Sequence, residues 1–152
     1  MIRHAREATR AISPEPSRHL AVVACMDSRV DPARILNVLP GEIHVIRNAG
    51  GVVTDDVLRS LAVSQHRMDT RRVMVMMHTD CSMLGLGDDA ERDRIADETG
   101  ERPPFPLGGF SDLAERLAQS VDAVRSSGFL RHTDSVTGTI YDVDQDRLNT
   151  LI

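Results

Sequence analysis

Short apolar runs alternate with amphipathic stretches through the first half of the chain. The runs cover residues 20–26, 42–46 and 72–77. Nearly continuous apolar runs of this length are typical of strands that are buried on both faces of a parallel sheet. We therefore predict buried strands over 20–26 and 72–77, and a further strand over 42–46.

Two helical patterns lie between these strands. Asp31 is a suitable N-cap ahead of Pro32, and Pro40-Gly41 would end this helix. Thr54 caps the second helix, which is predicted to run to about Met68. The apolar positions expected to face the sheet are Ile35, Leu36 and Leu39 in the first helix, and Val57, Leu58, Leu61 and Ala62 in the second.

The order strand, helix, strand, helix, strand predicts a three-layer α/β fold, with a mainly parallel central sheet flanked by helices. A strand order of 2-1-3, with further strands outside it, would make the first and third strands neighbours. Their carboxyl ends would then form the switch point at which open α/β sheets bind ligands.

The second half of the chain predicts more elements of the same kind. A highly charged helix is expected over 88–99, ended by Gly100, followed by a proline-rich and glycine-rich loop over 101–109. Ser111-Asp112 would cap a further helix over 111–126. Residues 136–143 alternate as a strand does, and we expect them at a sheet edge, with 148–152 packed as a tail. Residues 1–17 read as an N-terminal arm with a short helix over 3–12. We expect one domain over 1–152.

Chemically reactive side chains follow two of the buried strands. Cys25, Asp27 and Arg29 end the first, and in extended chain alternate residues point to the same side. His78 and Cys81 end the third, with the spacing of two ligands on one metal. Taken singly, a buried cysteine or a surface ion pair between Asp27 and Arg29 would be ordinary.

Together these residues favour a catalytic zinc site. Two thiolates and an imidazole, from Cys25, Cys81 and His78, suit Zn²⁺ and leave a fourth position open. Zinc lowers the pKa of its bound water towards neutrality and so generates hydroxide. Asp27 could accept a hydrogen bond from that water, and Arg29 could keep the Asp27 carboxylate away from the metal.

Composition excludes several other classes of protein. A formal net charge of −5 argues against a nucleic-acid partner, and no stretch approaches the roughly 20 apolar residues of a membrane span. Two cysteines do not form a secreted disulfide framework. No signal-peptide pattern opens the sequence. We therefore expect a soluble cytoplasmic protein.

The combined motifs closely resemble those of the β-class carbonic anhydrases, particularly the short bacterial members. The resemblance runs from about His19 to the C-terminus. It is carried by the segments Cys25-Met26-Asp27-Ser28-Arg29, Arg47-Asn48-Ala49-Gly50 and His78-Thr79-Asp80-Cys81.

This resemblance implies a homodimer or higher oligomer that hydrates carbon dioxide to bicarbonate through a metal-bound hydroxide. It makes Cys25, His78 and Cys81 the zinc ligands, and Asp27 and Arg29 the catalytic dyad. In some members the aspartate binds the metal in a closed, inactive site, so Asp27 is also a candidate ligand in that state.

Three features depart from the family pattern or leave it open. Ser82 stands where many members have glycine, and its side chain would crowd the loop or add a hydroxyl near the site. The chain has no Trp, which some members use in an allosteric bicarbonate pocket. No aromatic residue lies close to either cysteine motif, so we expect an aliphatic pocket.

We expect His44 to be packed and hydrogen-bonded and not to shuttle protons.

Two other functions fit the same residues. The scaffold also supports hydrolysis of carbonyl sulfide or carbon disulfide, whose molecules are likewise linear, apolar and electrophilic at carbon. The chain could also be a zinc-binding module without activity, with Asp27 permanently on the metal. The presence of Arg29 argues against that module.

Overall fold

A five-stranded sheet forms the centre of the computed structural model, which describes residues 12–152. The strand order is β2-β1-β3-β4-β5, so the predicted order 2-1-3 is confirmed. The first four strands run parallel and β5 is antiparallel to β4. The strand bounds are β1 Leu20–Cys25, β2 Ile43–Asn48, β3 Arg72–His78, β4 Val136–Asp142 and β5 Arg147–Thr150.

Four α-helices accompany the sheet in the described part of the chain. Their predicted caps are confirmed: the side chains of Asp31, Thr54 and Asp112 each accept a hydrogen bond from a backbone N–H in the first turn. The charged helix ends at Gly100, as predicted, and buries no residue. The helix bounds are α1 Pro32–Ile35, α2 Asp55–Arg67, α3 Asp88–Thr99 and α4 Leu113–Arg125.

The predicted length of α1 is wrong. The helix has only four residues, and Asn37 then adopts a left-handed conformation with φ 49°. Ile35 and Leu36 still pack against the core, whereas Leu39 is 73% exposed. A left-handed residue cannot continue a right-handed helix, so the chain leaves the sheet before Leu39.

Two hydrophobic clusters lie on opposite faces of the sheet. The larger cluster contains Val23, Cys25 and Val75 from the strands, covered by the apolar faces of α2 and α4. The smaller contains Val22, Ala24 and Met76, and is covered by Val30 and by residues of α1. Strands β1 and β3 are buried on both faces, which explains their nearly continuous apolar sequence.

The predicted edge position of the fourth strand is also wrong. β4 lies between β3 and β5, because the chain turns back at residues 143–146 and pairs its last residues with β4. The Asp142 carboxylate stabilises this turn by accepting hydrogen bonds from the backbone N–H groups of Asp144 and Gln145. The predicted tail is therefore a strand at the edge of the sheet.

Two further predictions are not tested by the described residues. The helix expected over 3–12 falls almost wholly outside the described residues, and one domain over 1–152 stays a prediction. Among residues 12–152, no helix has both the length and the apolar character needed to cross a membrane.

Candidate metal centre and active site

Three side chains suited to metal binding meet at the carboxyl ends of two neighbouring strands. Cys25 is the last residue of β1, His78 is the last residue of β3, and Cys81 lies in the turn that follows. All three are buried, and their ligand atoms lie within 4.8 Å of one another. The two predicted motifs meet because β1 and β3 are adjacent in the sheet.

The orientation of the His78 ring suits a metal ligand. Its Nδ1 lies 2.8 Å from the carbonyl oxygen of Thr79. Because a carbonyl can only accept, Nδ1 carries the proton and Nε2 presents a lone pair. Nε2 is buried and has no hydrogen-bond partner within residues 12–152. Buried polar atoms are rarely left unpaired, so this atom together with two nearby thiols fits a metal ion.

The two thiols interact directly. Cys25 Sγ and Cys81 Sγ are 4.0 Å apart. Their hydrogen bond lowers the pKa of the Cys25 thiol and raises that of Cys81. Of the two thiols, Cys25 therefore gives up its proton more readily. Metal binding would require both sulfurs as thiolates, since thiolates and not thiols ligate metals.

Arg29 holds the Asp27 carboxylate at the rim of this site. Arg29 Nε donates to Asp27 Oδ1 at 3.0 Å and Nη2 donates to Oδ2 at 2.8 Å, while the Arg29 backbone N–H also donates to Oδ1. These side-chain and backbone hydrogen bonds lower the pKa of Asp27 well below its usual range. Asp27 Oδ2 lies 3.9 Å from His78 Nε2. A carboxylate that is ionised near neutral pH thus lies beside these side chains.

The backbone that carries Asp27 and Arg29 is not the extended strand that was predicted from the alternation of side chains. β1 ends at Cys25, and the following residues form a turn in which the backbone N–H of Val30 donates to the carbonyl of Asp27 at 3.0 Å. The turn, and not an extended chain, brings the Arg29 guanidinium back onto Asp27.

Sequence reasoning missed two residues that hold this turn. Arg47 donates from Nε to the Cys25 carbonyl at 2.9 Å and from Nη2 to the Asp27 carbonyl at 2.7 Å. Asp80 accepts a hydrogen bond from Arg29 Nη1 at 2.7 Å. Both residues are charged and lie in motifs quoted in the sequence analysis. That charge was the available signal, because such a side chain needs an oppositely charged partner or, for an arginine, backbone carbonyls.

The two glycines after β2 have different surroundings. Paired glycines allow the backbone to approach a ligand closely, and Gly50 does line the cavity beside the cysteines. Gly51 instead approaches the backbone of β1: a Cβ atom there would lie 2.8 Å from the backbone nitrogen of Cys25. The close approach at Gly51 therefore serves packing of the strand that carries Cys25.

A small cavity of about 80 Å³ adjoins the two cysteines and Asp27. No aromatic residue of the described chain lines it, and the lining is mostly apolar. Phe110 lies behind its wall, within contact distance of a Cβ at Gly50. Ser82 faces the cavity and adds the expected hydroxyl. The other lining residues are Met26, Ala49, Gly50 and Met83.

His44 is packed as predicted. Its Nδ1 lies 2.8 Å from Ser64 Oγ, and its Nε2 lies 2.8 Å from the carbonyl of Pro14, which accepts a hydrogen bond. Both ring nitrogens have hydrogen-bond partners, so His44 has a structural role.

The fold and the site together define a class of protein. It is an α/β protein whose buried Cys, His and Cys side chains, with an adjacent Asp–Arg pair, form a group suited to metal binding at the switch point of a mainly parallel sheet.

Comparison with known proteins identifies the family. The family model described as carbonic anhydrase matches residues 20–100. A relative from Mycobacterium tuberculosis, β-carbonic anhydrase 1, is 46% identical over 134 residues, which is 88% of this chain and 82% of that relative. The chain therefore belongs to the β-carbonic anhydrase family.

Two further comparisons bear on fold and substrate. The crystal structure of carbonic anhydrase from Streptococcus mutans superposes with a TM-score of 0.86 at 31% identity, covering 91% of this chain and 84% of that one. A carbon disulfide hydrolase from an Acidianus species is 42% identical over 156 residues, covering 87% of this chain and 76% of the hydrolase.

Proposed function

We propose that this protein is a carbonic anhydrase that converts carbon dioxide and water reversibly into bicarbonate and a proton. The observation that carries the proposal is the buried, unpartnered Nε2 of His78, facing two thiols and beside an Asp27 carboxylate that Arg29 holds. Family membership supports the same reaction.

The donor set supports zinc as the metal. Cys25, His78 and Cys81 would hold Zn²⁺, since two thiolates and an imidazole are ligands that zinc prefers. When bound, Zn²⁺ supplies a Lewis acid that makes water nucleophilic near neutral pH. The hydrogen bond from His78 Nδ1 to the Thr79 carbonyl keeps Nε2 free for that role.

Asp27 and Arg29 would act as the catalytic pair. Because the pKa of Asp27 is far below neutrality, its carboxylate stays ionised and can only accept hydrogen bonds. It would accept the O–H of the reacting water and so direct the oxygen lone pair towards the carbon of the substrate. The small apolar cavity beside the cysteines would hold that substrate.

Asp27 would also decide whether the site is open or closed. Arg29 occupies both Asp27 oxygens and draws the carboxylate away from the ligand atoms. If that hold is lost, Asp27 could turn onto the metal as a fourth ligand and exclude water. We propose that this closed state is inactive.

Hydrolysis of carbon disulfide or carbonyl sulfide is the second candidate. The 42% identical carbon disulfide hydrolase supports it, and the apolar lining of the cavity suits such molecules.

Stopped-flow assays of the zinc-loaded protein with carbon dioxide, carbonyl sulfide and carbon disulfide in parallel test both functions. Hydration of carbon dioxide as the fastest reaction is expected. Turnover of carbon disulfide alone would overturn the first proposal, and no turnover of any would favour a non-catalytic zinc module.

We further propose a homodimer or higher homo-oligomer of one domain, located in the cytoplasm. The wall of the cavity includes Met26, which is 65% exposed, so a second subunit could complete it. Two free cysteines suit a reducing compartment. Light scattering at micromolar concentration tests the assembly, and a fully active monomer would contradict it.

A further inference from the structure

The guanidinium group of Arg29 is held from two sides. One side faces Asp27, through Nε and Nη2. The other faces Asp80, whose carboxylate accepts from Nη1 at 2.7 Å and whose backbone carbonyl accepts from Nη2 at 2.9 Å. Four of the five N–H groups of the guanidinium therefore have partners. The planar group cannot rotate without breaking several of these hydrogen bonds.

Asp80 connects the two halves of the site. It lies between His78 and Cys81 in the turn after β3, whereas Arg29 and Asp27 lie in the turn after β1. Its backbone is left-handed, with φ 54°, a conformation in which aspartate is more tolerated than most residues. This conformation places both its carboxylate and its carbonyl within reach of Arg29. The loop that carries a metal ligand thereby also fixes the arginine.

A second arginine–aspartate pair, Arg71 with Asp69, shows which contacts Arg29 would keep without Asp80. Arg71 donates from Nε and Nη2 to the two oxygens of Asp69, two residues earlier, in the same bidentate arrangement. No second carboxylate side chain within residues 12–152 contacts the Arg71 guanidinium. Arg71 and Asp69 therefore form a built-in reference pair.

We infer that Asp80 is a positioning residue, which locks Arg29 so that Arg29 keeps the Asp27 carboxylate off the metal; this rests on the proposed function. Without the Asp80 side chain, Nη1 loses its charged partner and the guanidinium gains freedom to swing. Asp27 is then held less firmly and can move towards the ligand atoms. Asp80 acts through Arg29 and does not itself touch substrate.

The exposure of Asp80 separates positioning from simple structural support. Its side chain is 75% exposed, and ion pairs between exposed groups contribute little to stability. Removing the carboxylate should therefore lower the melting temperature no more than the control substitution Asp69→Ala does, since Asp69 is also left-handed, with φ 52°. A larger effect on the site at the same stability identifies positioning.

The test compares Asp80→Ala, Asp80→Asn and the control Asp69→Ala in zinc-loaded protein. For Asp80→Ala we expect full zinc content and an unchanged KM, with kcat about 10–100-fold lower, the range for partners that orient the residues of a metal site. Asp80→Asn should recover most of the loss, because its amide oxygen still accepts from Arg29 Nη1. Asp69→Ala should leave kcat unchanged.

Two readouts do not depend on activity. The Nε–Hε NMR resonance of Arg29 should broaden in Asp80→Ala, whereas that of Arg71 stays as in the parent protein. The visible spectrum of cobalt-substituted Asp80→Ala should show an added carboxylate ligand. If no substrate is turned over, the proposed function fails, and these two readouts still decide the role of Asp80.

Two outcomes would overturn the inference. One is an Asp80→Ala variant with unchanged kcat, Arg29 resonance and cobalt spectrum. The other is loss of zinc from both Asp80 variants with a lowered melting temperature, which would assign Asp80 to folding of the ligand loop.

Discussion

Replacement of Gly51 by alanine tests how backbone packing supports the metal centre. Gly51 has φ +65°, a conformation that costs a residue with a Cβ roughly 1–2 kcal/mol. The new Cβ would also lie 2.8 Å from the nitrogen of Cys25, 2.9 Å from the carbonyl carbon of Ala24 and 3.2 Å from the carbonyl oxygen of Met76. Contacts below 3.0 Å with backbone require movement of the strand itself.

The magnitude follows from these two costs. Ala24 is completely buried and Cys25 nearly so, so β1 cannot move without disturbing its neighbours. Overpacking of a well-packed core costs about 1–3 kcal/mol. The sum, about 2–5 kcal/mol, corresponds to a fall in Tm of roughly 4–20 °C for a chain of this size.

Two other glycines separate the costs. Gly100 has φ +81° and nothing near its Cβ position, so Gly100→Ala carries the backbone cost alone. Gly128 has neither a positive φ nor a neighbour within 4 Å, so Gly128→Ala carries neither cost. Thermal unfolding followed by circular dichroism, at one protein concentration, should rank the losses in the order Gly51, Gly100, Gly128.

The variant should also affect the metal. Because the strongest clash is with the backbone of Cys25, Gly51→Ala should weaken zinc binding in a competition with a chromogenic chelator. The Gly100 variant should bind zinc as the parent protein does. A Gly51 variant that is no less stable than the Gly100 variant, or that binds zinc equally well, would refute this reasoning.

Three more predictions concern the site and the pH dependence of stability. His78→Ala and Cys81→Ser should each lose most of the zinc measured by elemental analysis, and full retention in both would contradict the ligand assignment. Asp27→Asn should keep its zinc and lose about 10–100-fold in kcat, because an amide can donate to the water and misdirect its lone pair; unchanged kcat would refute this role. Hydrogen bonds from the Tyr141 hydroxyl and then from Arg34 lower the pKa of Asp146. Their stabilisation is present above the unfolded pKa of about 3.9 and is lost as pH falls through the lower folded pKa. The difference in urea midpoint between the parent protein and Tyr141→Phe should therefore shrink from pH 6 to pH 2, and a difference that grows would contradict the shift.

Local patterns predicted most elements because the signals that mark an element lie in its own residues. The capping side chains of Asp31, Thr54 and Asp112 act on N–H groups two or three residues away. The continuous apolar runs of β1 and β3 indicated that these strands are buried. The wrong predictions, the extent of α1 and the edge position of β4, concern where an element stops and what lies beside it. Both depend on contacts with distant segments.

The candidate site divides in the same way. The residue types of Cys25, His78 and Cys81, and their positions after buried strands, already indicated one metal site. The pairing of Asp27 with Arg29 followed from their closeness in sequence. The contacts of Asp80 with Arg29, 51 residues away, and of Arg47 with two carbonyls could not be read from spacing.

The sequence by itself determined the residue types of the candidate ligands, the βαβαβ order and the charge of the groups at the rim. Tertiary structure decided which lone pairs face inward and which carboxylates share one arginine. The physical reason is that side-chain identity fixes the available donors and acceptors, whereas hydrogen bonds need distances near 3 Å. Only the packing of β1 beside β3, with Gly51 against the Cys25 backbone, sets distances of that accuracy between residues far apart in the chain.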